Sequence, residues 1–197
     1  ENGELIIDDG NIVEISATQS GDESLDLSDY LLMPGFVNAH SHISLTALEK
    51  KLSPSDSFVN WIRALISFNC ALDKDSRIQC IHSGAEVMRR SGVTALGDYV
   101  ADPEMLSVIG DLGFRSVLFI ETIGFHPEKA QEFCKNVEEV LMRGNLSLIC
   151  QLGLAPHAPY SVSPELFRSL GQLAQQYHCS VSCHVAEIKE EGRFLVL

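Results

Sequence analysis

Two histidines one residue apart, His40 and His42, close an apolar run that begins Met33-Pro34-Gly35-Phe36-Val37. Side chains two apart on a β-strand share a face, so these imidazoles project together, one pleat apart, as a pair sharing one metal ion would. Pro34-Gly35 ahead of the run reads as the turn that feeds the strand. A surface His-x-His with no role has the same spacing, so the pair needs partners before it means chemistry. His157, His184 and Glu187 are the candidates. His40, His42 and His184 offer three neutral nitrogens, a set that suits zinc or another divalent first-row ion. A catalytic site of this kind keeps an open position for water, whose pKa the ion lowers toward neutrality. Glu187 follows His184 by three residues, where a carboxylate can hold a substrate and shuttle a proton from water to a leaving group. Glu190 and Glu191 mark the stretch as rich in acids, so a solvated loop carboxylate is the other reading of Glu187. His157 lies between Pro156 and Pro159, whose rings stiffen a loop able to aim an imidazole at a substrate. A structural histidine is the alternative there. Asp98 and Glu121 stay open between substrate contact and hydrogen bonding within a sheet. His126 is a weaker candidate for the same site. His82 falls in mid-helix, and His178 near a helix C-terminus, where a cation complements the dipole.

The elements that must carry these residues follow from hydrophobic pattern. Residues 4–8 and 11–16 read as two short strands joined by Asp9-Gly10, a strong hairpin signal. Residues 17–28 read as a loop, and Tyr30–Met33 as a third short strand. From Phe36 the pattern becomes strand, loop, helix, repeated. Strands are predicted at Phe36–His42, Val93–Val100, Arg115–Thr122, Leu146–Ala155 and Ser180–Ala186. Helices are predicted at Phe58–Leu72, Ser76–Ser91, Pro103–Leu112, Pro127–Arg143 and Ser163–Tyr177. Ser163 supplies an N-cap for the last, with Pro164 at its first position, and Gly144-Asn145 stops the fourth. Five strands alternating with helices predict a parallel α/β sheet, either a (β/α) barrel or a doubly wound sheet. No Gly-rich phosphate loop follows any strand, which weighs against a nucleotide-cofactor fold. In a barrel, catalytic groups gather at the C-terminal ends of the strands, and here those ends carry His40, His42, Asp98, Glu121, His157, His184 and Glu187.

Composition bounds the partners. The 197 residues suffice for one sizeable core, and 45% are hydrophobic. With 27 acidic against 14 basic residues the formal net charge is −13, which argues against nucleic acid or an anionic membrane as partner. No run approaches the roughly 18 apolar residues of a membrane span, and the acidic N-terminus lacks a signal-peptide pattern. The six cysteines form no C-x-x-C pair and read as reduced, mostly buried thiols of a cytoplasmic protein.

Three motifs together carry a family resemblance: Met33 to His42 (MPGFVNAHSH), Ala155 to Pro164 (APHAPYSVSP), and His184-Val185-Ala186-Glu187. Their order and spacing resemble the amidohydrolase superfamily, in its cytosine-deaminase-like and triazine-hydrolase-like branch. The stretch Phe58-Val59-Asn60-Trp61-Ile62-Arg63 is similar to the aminodeoxyfutalosine-deaminase-like group. The resemblance implies a TIM-type (β/α) barrel, of which this chain would supply about five of eight βα units. It also implies that residues 1–33 belong to a small β-sandwich domain and residues 34–197 to the N-terminal part of the barrel. His40, His42 and His184 would then be metal ligands, Glu187 the proton shuttle and His157 a substrate contact. The fourth predicted strand has no lysine to bridge two ions, so one divalent ion is expected, zinc before iron. The family's further histidine and its strand-eight aspartate find no match before Leu197, so the chain is expected to be a fragment of a longer enzyme. The implied reaction is hydrolytic deamination of an amino-substituted purine, pyrimidine or related nucleoside, a small-molecule substrate. Alternatives are a chlorohydrolase or amide hydrolase with the same site, or an inactive half-barrel that forms a homodimer through open strand edges.

Overall fold

The structure is a computed structural model that describes residues 3–16, 23–49, 51–52, 57–144 and 146–196. The loop expected over 17–28 therefore lies partly outside the described residues, as does Asn145. The chain divides into two compact units, Glu1–Pro34 and Gly35–Leu197. In the first, β1 (Glu4–Asp8) and β2 (Asn11–Ser16) pair antiparallel. Asp9 and Gly10 between them both take positive φ, 46° and 74°, the conformation a tight hairpin needs and the reason aspartate and glycine stand there. Tyr30–Met33 is not a strand: its residues join no ladder and are exposed.

The second unit is built on β3 (Phe36–Ser41), β4 (Val93–Val100), β5 (Arg115–Thr122) and β6 (Cys150–Pro156), all parallel and in that order across the sheet. A 3-10 turn at Ile43–Leu48, α1 (Phe58–Ala71) and α2 (Lys74–Arg90) join β3 to β4. The short α3 (Leu106–Gly110) precedes β5, α4 (Ala130–Leu141) precedes β6, and α5 (Pro164–Tyr177) and α6 (Lys189–Val196) follow it. This is a partial (β/α) barrel with four laddered strands among the described residues. The expected fifth, Ser180–Ala186, runs beside β6 through the single bridge Leu154↔Val181 and does not extend into a ladder. The reason is local. After Val181 the main chain of His184 turns to the carbonyl of His157, at 2.8 Å, and Ala186 adopts a left-handed φ of 60°.

Alternation sorts the strand residues into two cores. Leu96, Val100, Leu118, Ile120, Leu152 and Leu154 face the helices, packing with Ile81, Ile109, Val137, Leu166 and Leu170. Tyr99, Phe119 and Ala155 form the inner layer, with Val117 against them. Phe119 fits because its neighbouring strands carry glycine: a Cβ on Gly153 would lie 2.7 Å from its ring, and one on Gly97 would lie 2.7 Å from the Ala39 carbonyl. The Ser163 hydroxyl caps α5 by accepting from Leu166 N at 3.2 Å, as its sequence predicts. The cap of α2 is Asp73, accepting from Ser76 N at 2.7 Å, so that helix starts earlier than Ser76. Helix α1 buries none of its residues and leaves Val59, Trp61 and Ile66 exposed. All six cysteines are free, but only Cys150 is buried and Cys70 is exposed. Among the described residues no helix is long and apolar enough to cross a membrane.

Candidate active site

The end of β3 is set by a carboxylate two strand residues short of the end of β4. The pairing steps from Asn38↔Leu96 to Ser41↔Asp98, three residues on β3 against two on β4. Asp98, fully buried, takes up the irregularity: its Oδ1 accepts from Ser41 Oγ at 2.8 Å and from Ile43 N at 2.8 Å. These donors flank His42 on both sides, and the Ser41 hydroxyl also reaches Gly97 O at 3.0 Å. Asp98 is thus a clamp on the His-x-His segment and not a group of the mouth. Burial pushes its carboxyl up to about 6, against the two hydrogen bonds.

Tyr99, the next residue, faces inward and lies under the histidines. Its ring stacks on His40 and His42, with centroids 4.4 and 5.1 Å apart, and stands 4.9 Å from that of His184. Its hydroxyl hydrogen-bonds Ser182 Oγ, tying β4 to the segment that carries His184.

His184 joins the pair across the mouth. Its Nδ1 lies 2.9 Å from the carbonyl oxygen of His157, which can only accept, so Nδ1 carries the proton and Nε2 a lone pair. That Nε2 is 3.2 Å from His40 Nε2 and 3.3 Å from His42 Nε2. Burial, then the charges of neighbouring histidines, holds His42 neutral, with its pKa lowered to about 4; burial and then His184 lower that of His40. Gathered lone pairs repel unless a cation sits among them. A tetrahedral ion with bonds of about 2.0–2.1 Å sets its ligand nitrogens ~3.3 Å apart, so the two separations fit a single ion. His40, His42 and His184 form a group whose ligand atoms all lie within 4.8 Å of one another.

His157 sits beside this cluster, its ring centroid 4.8 Å from that of His184. Its Nδ1 hydrogen-bonds Ser161 Oγ at 2.7 Å, and that hydroxyl also lies 3.2 Å from Ala158 O, so the loop fixes the ring's position. Burial, then His184, lowers its pKa and favours the neutral ring. Glu187 is exposed, and Tyr160 donates its hydroxyl to Glu187 Oε2 at 2.6 Å. The main-chain N–H of Glu187 is held in turn by Glu191 Oε2 at 2.8 Å, from a buried side chain in the first turn of α6. Burial and the Glu187 carboxylate push the Tyr160 phenol well up. Glu121, on the inward face of β5, offers an oxygen within 4.8 Å of ring nitrogens of His157 and His184. Its Oε1 is buried without a partner, and burial pushes the carboxyl up to about 7.

The five residues singled out from the sequence thus meet at one mouth. His126 does not: its exposed ring lies 3.4 Å from Glu128. His82 and His178 are exposed elsewhere. Tyr99, Tyr160 and Glu191 were missed. Tyr160 carried a signal, since it shares the Pro-stiffened loop with His157. Glu191 read as one more solvated acid.

Parallel βα units with three converging imidazoles and an acid at their strand ends define a (β/α)-barrel protein with a histidine cluster at its mouth that could hold a metal ion. A model of the amidohydrolase family matches residues 31–194, and the chain belongs to that family. It is similar to the 5-methylthioadenosine/S-adenosylhomocysteine deaminase of Halothermothrix orenii, 28% identical over 208 residues, covering 97% of this chain and 46% of the relative. The chain therefore spans a little under half the length of that relative. Among solved structures, the Helicobacter pylori aminofutalosine deaminase in complex with methylthio-coformycin aligns with a TM-score of 0.70 at 25% identity, over 81% of this chain and 39% of that one. Guanine deaminase from C. acetobutylicum shares the fold, with a TM-score of 0.82 at 18% identity over 96% of this chain and 49% of that one.

Proposed function

We propose that this site serves the hydrolytic deamination of an adenosine-type nucleoside. The observation that carries the reading is the convergence of His40, His42 and His184 through Nε2 at 3.2 and 3.3 Å, with Glu187 fixed beside them by Tyr160. A divalent ion, zinc before iron, held by the three histidines would supply an activated water near neutral pH. The chain's own residues do the rest. As the water oxygen bonds to the carbon that bears the amino group, Glu187 carries one of the water's protons to the adjacent ring nitrogen; the remaining hydroxyl proton passes to the amino group, and the carbon–nitrogen bond breaks to release ammonia. Tyr160 occupies one oxygen of Glu187 and leaves the other to move the proton. The His157 imidazole hydrogen-bonds the substrate and orients it. Deaminases among the relatives support this substrate class, and the free thiols support a reducing cytoplasm.

The test is product release. Zinc-loaded protein is incubated separately with adenosine, guanine and a chlorotriazine, and ammonia and chloride are measured. Ammonia from adenosine is expected, and loss of release in His184→Ala. Chloride from the triazine without ammonia from either base replaces deamination with chlorohydrolysis. Protein that takes up no zinc removes the basis of the reading.

A further inference from the structure

The Glu121 carboxylate has no task in the chemistry above. On β5 it continues the inward series Val117, Phe119, and it pairs in register with Ala155, two residues before His157. It therefore points to the mouth from the strand next to the loop that carries His157. Its Oε1 is buried and finds no donor, and the charged groups acting on it are His184, Asp98 and Glu187, with no lysine or arginine among them. A carboxylate kept for structure would be paired or capped, since an unpartnered buried acceptor is costly. Ring nitrogens of His184, whose Nε2 converges with His40 and His42, and of His157 lie within 4.8 Å of a Glu121 oxygen. Among the described residues, no hydrogen-bond donor serves this acceptor at the mouth.

We propose that Glu121 accepts a hydrogen bond from a donor group of the substrate, on the side of the mouth where His157 lies. The inference rests on the deaminase reading. Such a donor exists on an adenosine-type nucleoside in two places, the sugar hydroxyls and the amino edge of the base.

Calorimetric titration of zinc-loaded protein and of Glu121→Gln with adenosine, 2′,3′-dideoxyadenosine and N6,N6-dimethyladenosine tests it, with melting of both proteins unliganded. Glu121→Gln is expected to weaken adenosine binding roughly tenfold or more, as loss of a hydrogen bond to a charged group does. The loss should vanish with whichever analogue lacks the recognised donor. The variant should melt no lower than the unaltered chain, because Glu121 Oε1 has no hydrogen bond to lose. A structural carboxylate would give a lower melting temperature and an equal loss for all three ligands, and that result overturns the inference. Unchanged adenosine affinity overturns it alone. Failure of the unaltered chain to bind any of the three overturns the deaminase reading with it. Loss of a second equivalent of zinc in the variant would instead make Glu121 a metal ligand and overturn the assignment.

Discussion

The carbonyl oxygen of His157 accepts twice from His184, from its main-chain N–H at 2.8 Å and from its ring Nδ1–H at 2.9 Å. One backbone atom thereby sets both the place and the tautomer of the third imidazole, and it belongs to the Pro-bracketed loop of His157. Replacing His184 by alanine should lower zinc affinity by roughly a hundredfold or more, measured by competition with a chelator. His126→Ala, remote from the cluster, should leave that affinity unchanged.

Asp98 holds the segment around His42 through Ser41 Oγ and Ile43 N. Asp98→Ala leaves the buried Ile43 N–H without an acceptor and Ser41 Oγ with Gly97 O alone, and should cost about 2–3 kcal/mol in urea unfolding. Zinc should bind roughly tenfold to a hundredfold more weakly. Asp98→Asn keeps an acceptor, and its amide replaces the unpartnered Oδ2. In the folded chain Asp98 binds its proton more tightly than in the unfolded chain, since burial raises it from 3.8 to about 6. Its contribution is therefore complete below the unfolded value and is lost as pH rises through about 6. The asparagine variant should show a flatter decline of urea midpoint between pH 4 and 7.

His42 has the opposite sign. Burial lowers its pKa from 6.5 to about 4, so the unfolded chain takes up a proton that the folded chain refuses. Stability from this residue is present above 6.5 and is lost as pH falls toward 4, by up to about 3 kcal/mol. Metal-free protein should lose melting temperature over that range, and His42→Gln should lose less.

Tyr160 and Glu187 form a pair that kinetics can separate. Tyr160→Phe removes the donor on Oε2 and should lower kcat about tenfold with KM changed less than about twofold. Glu187→Gln should cost roughly 10²- to 10⁴-fold, the range of a lost proton shuttle. A Tyr160→Phe variant with full kcat would show that the bond does not position Glu187.

Strand patterns read well where both faces are buried. Val93–Val100 and Arg115–Thr122 are strands over the spans their apolar runs mark, because a parallel strand covered on both sides has no polar face to hide. The segment at 180–186 looked the same but pairs once, since its apolar residues are few and His184 is drawn to the His157 carbonyl. Helix α6 was missed because Lys189-Glu190-Glu191-Gly192 has the composition of a solvated loop. Its start is fixed instead by the buried Glu191 side chain reaching back to Glu187 N.

What the residues determined by themselves is local: three imidazoles at strand ends, the acid after the last of them, and the alternation of strand and helix that brings such ends to one rim. Each depends on spacing along a few neighbouring positions. The tertiary structure decided which groups face which. Ser41 and Asp98 lie 57 residues apart, Tyr99 and Ser182 83, and His40 and His184 144. Which groups a carboxylate faces depends on register between strands distant in the chain, including the three-against-two step from Asn38 to Ser41. No local periodicity encodes that step, and it moves each side chain beyond it to a different neighbour.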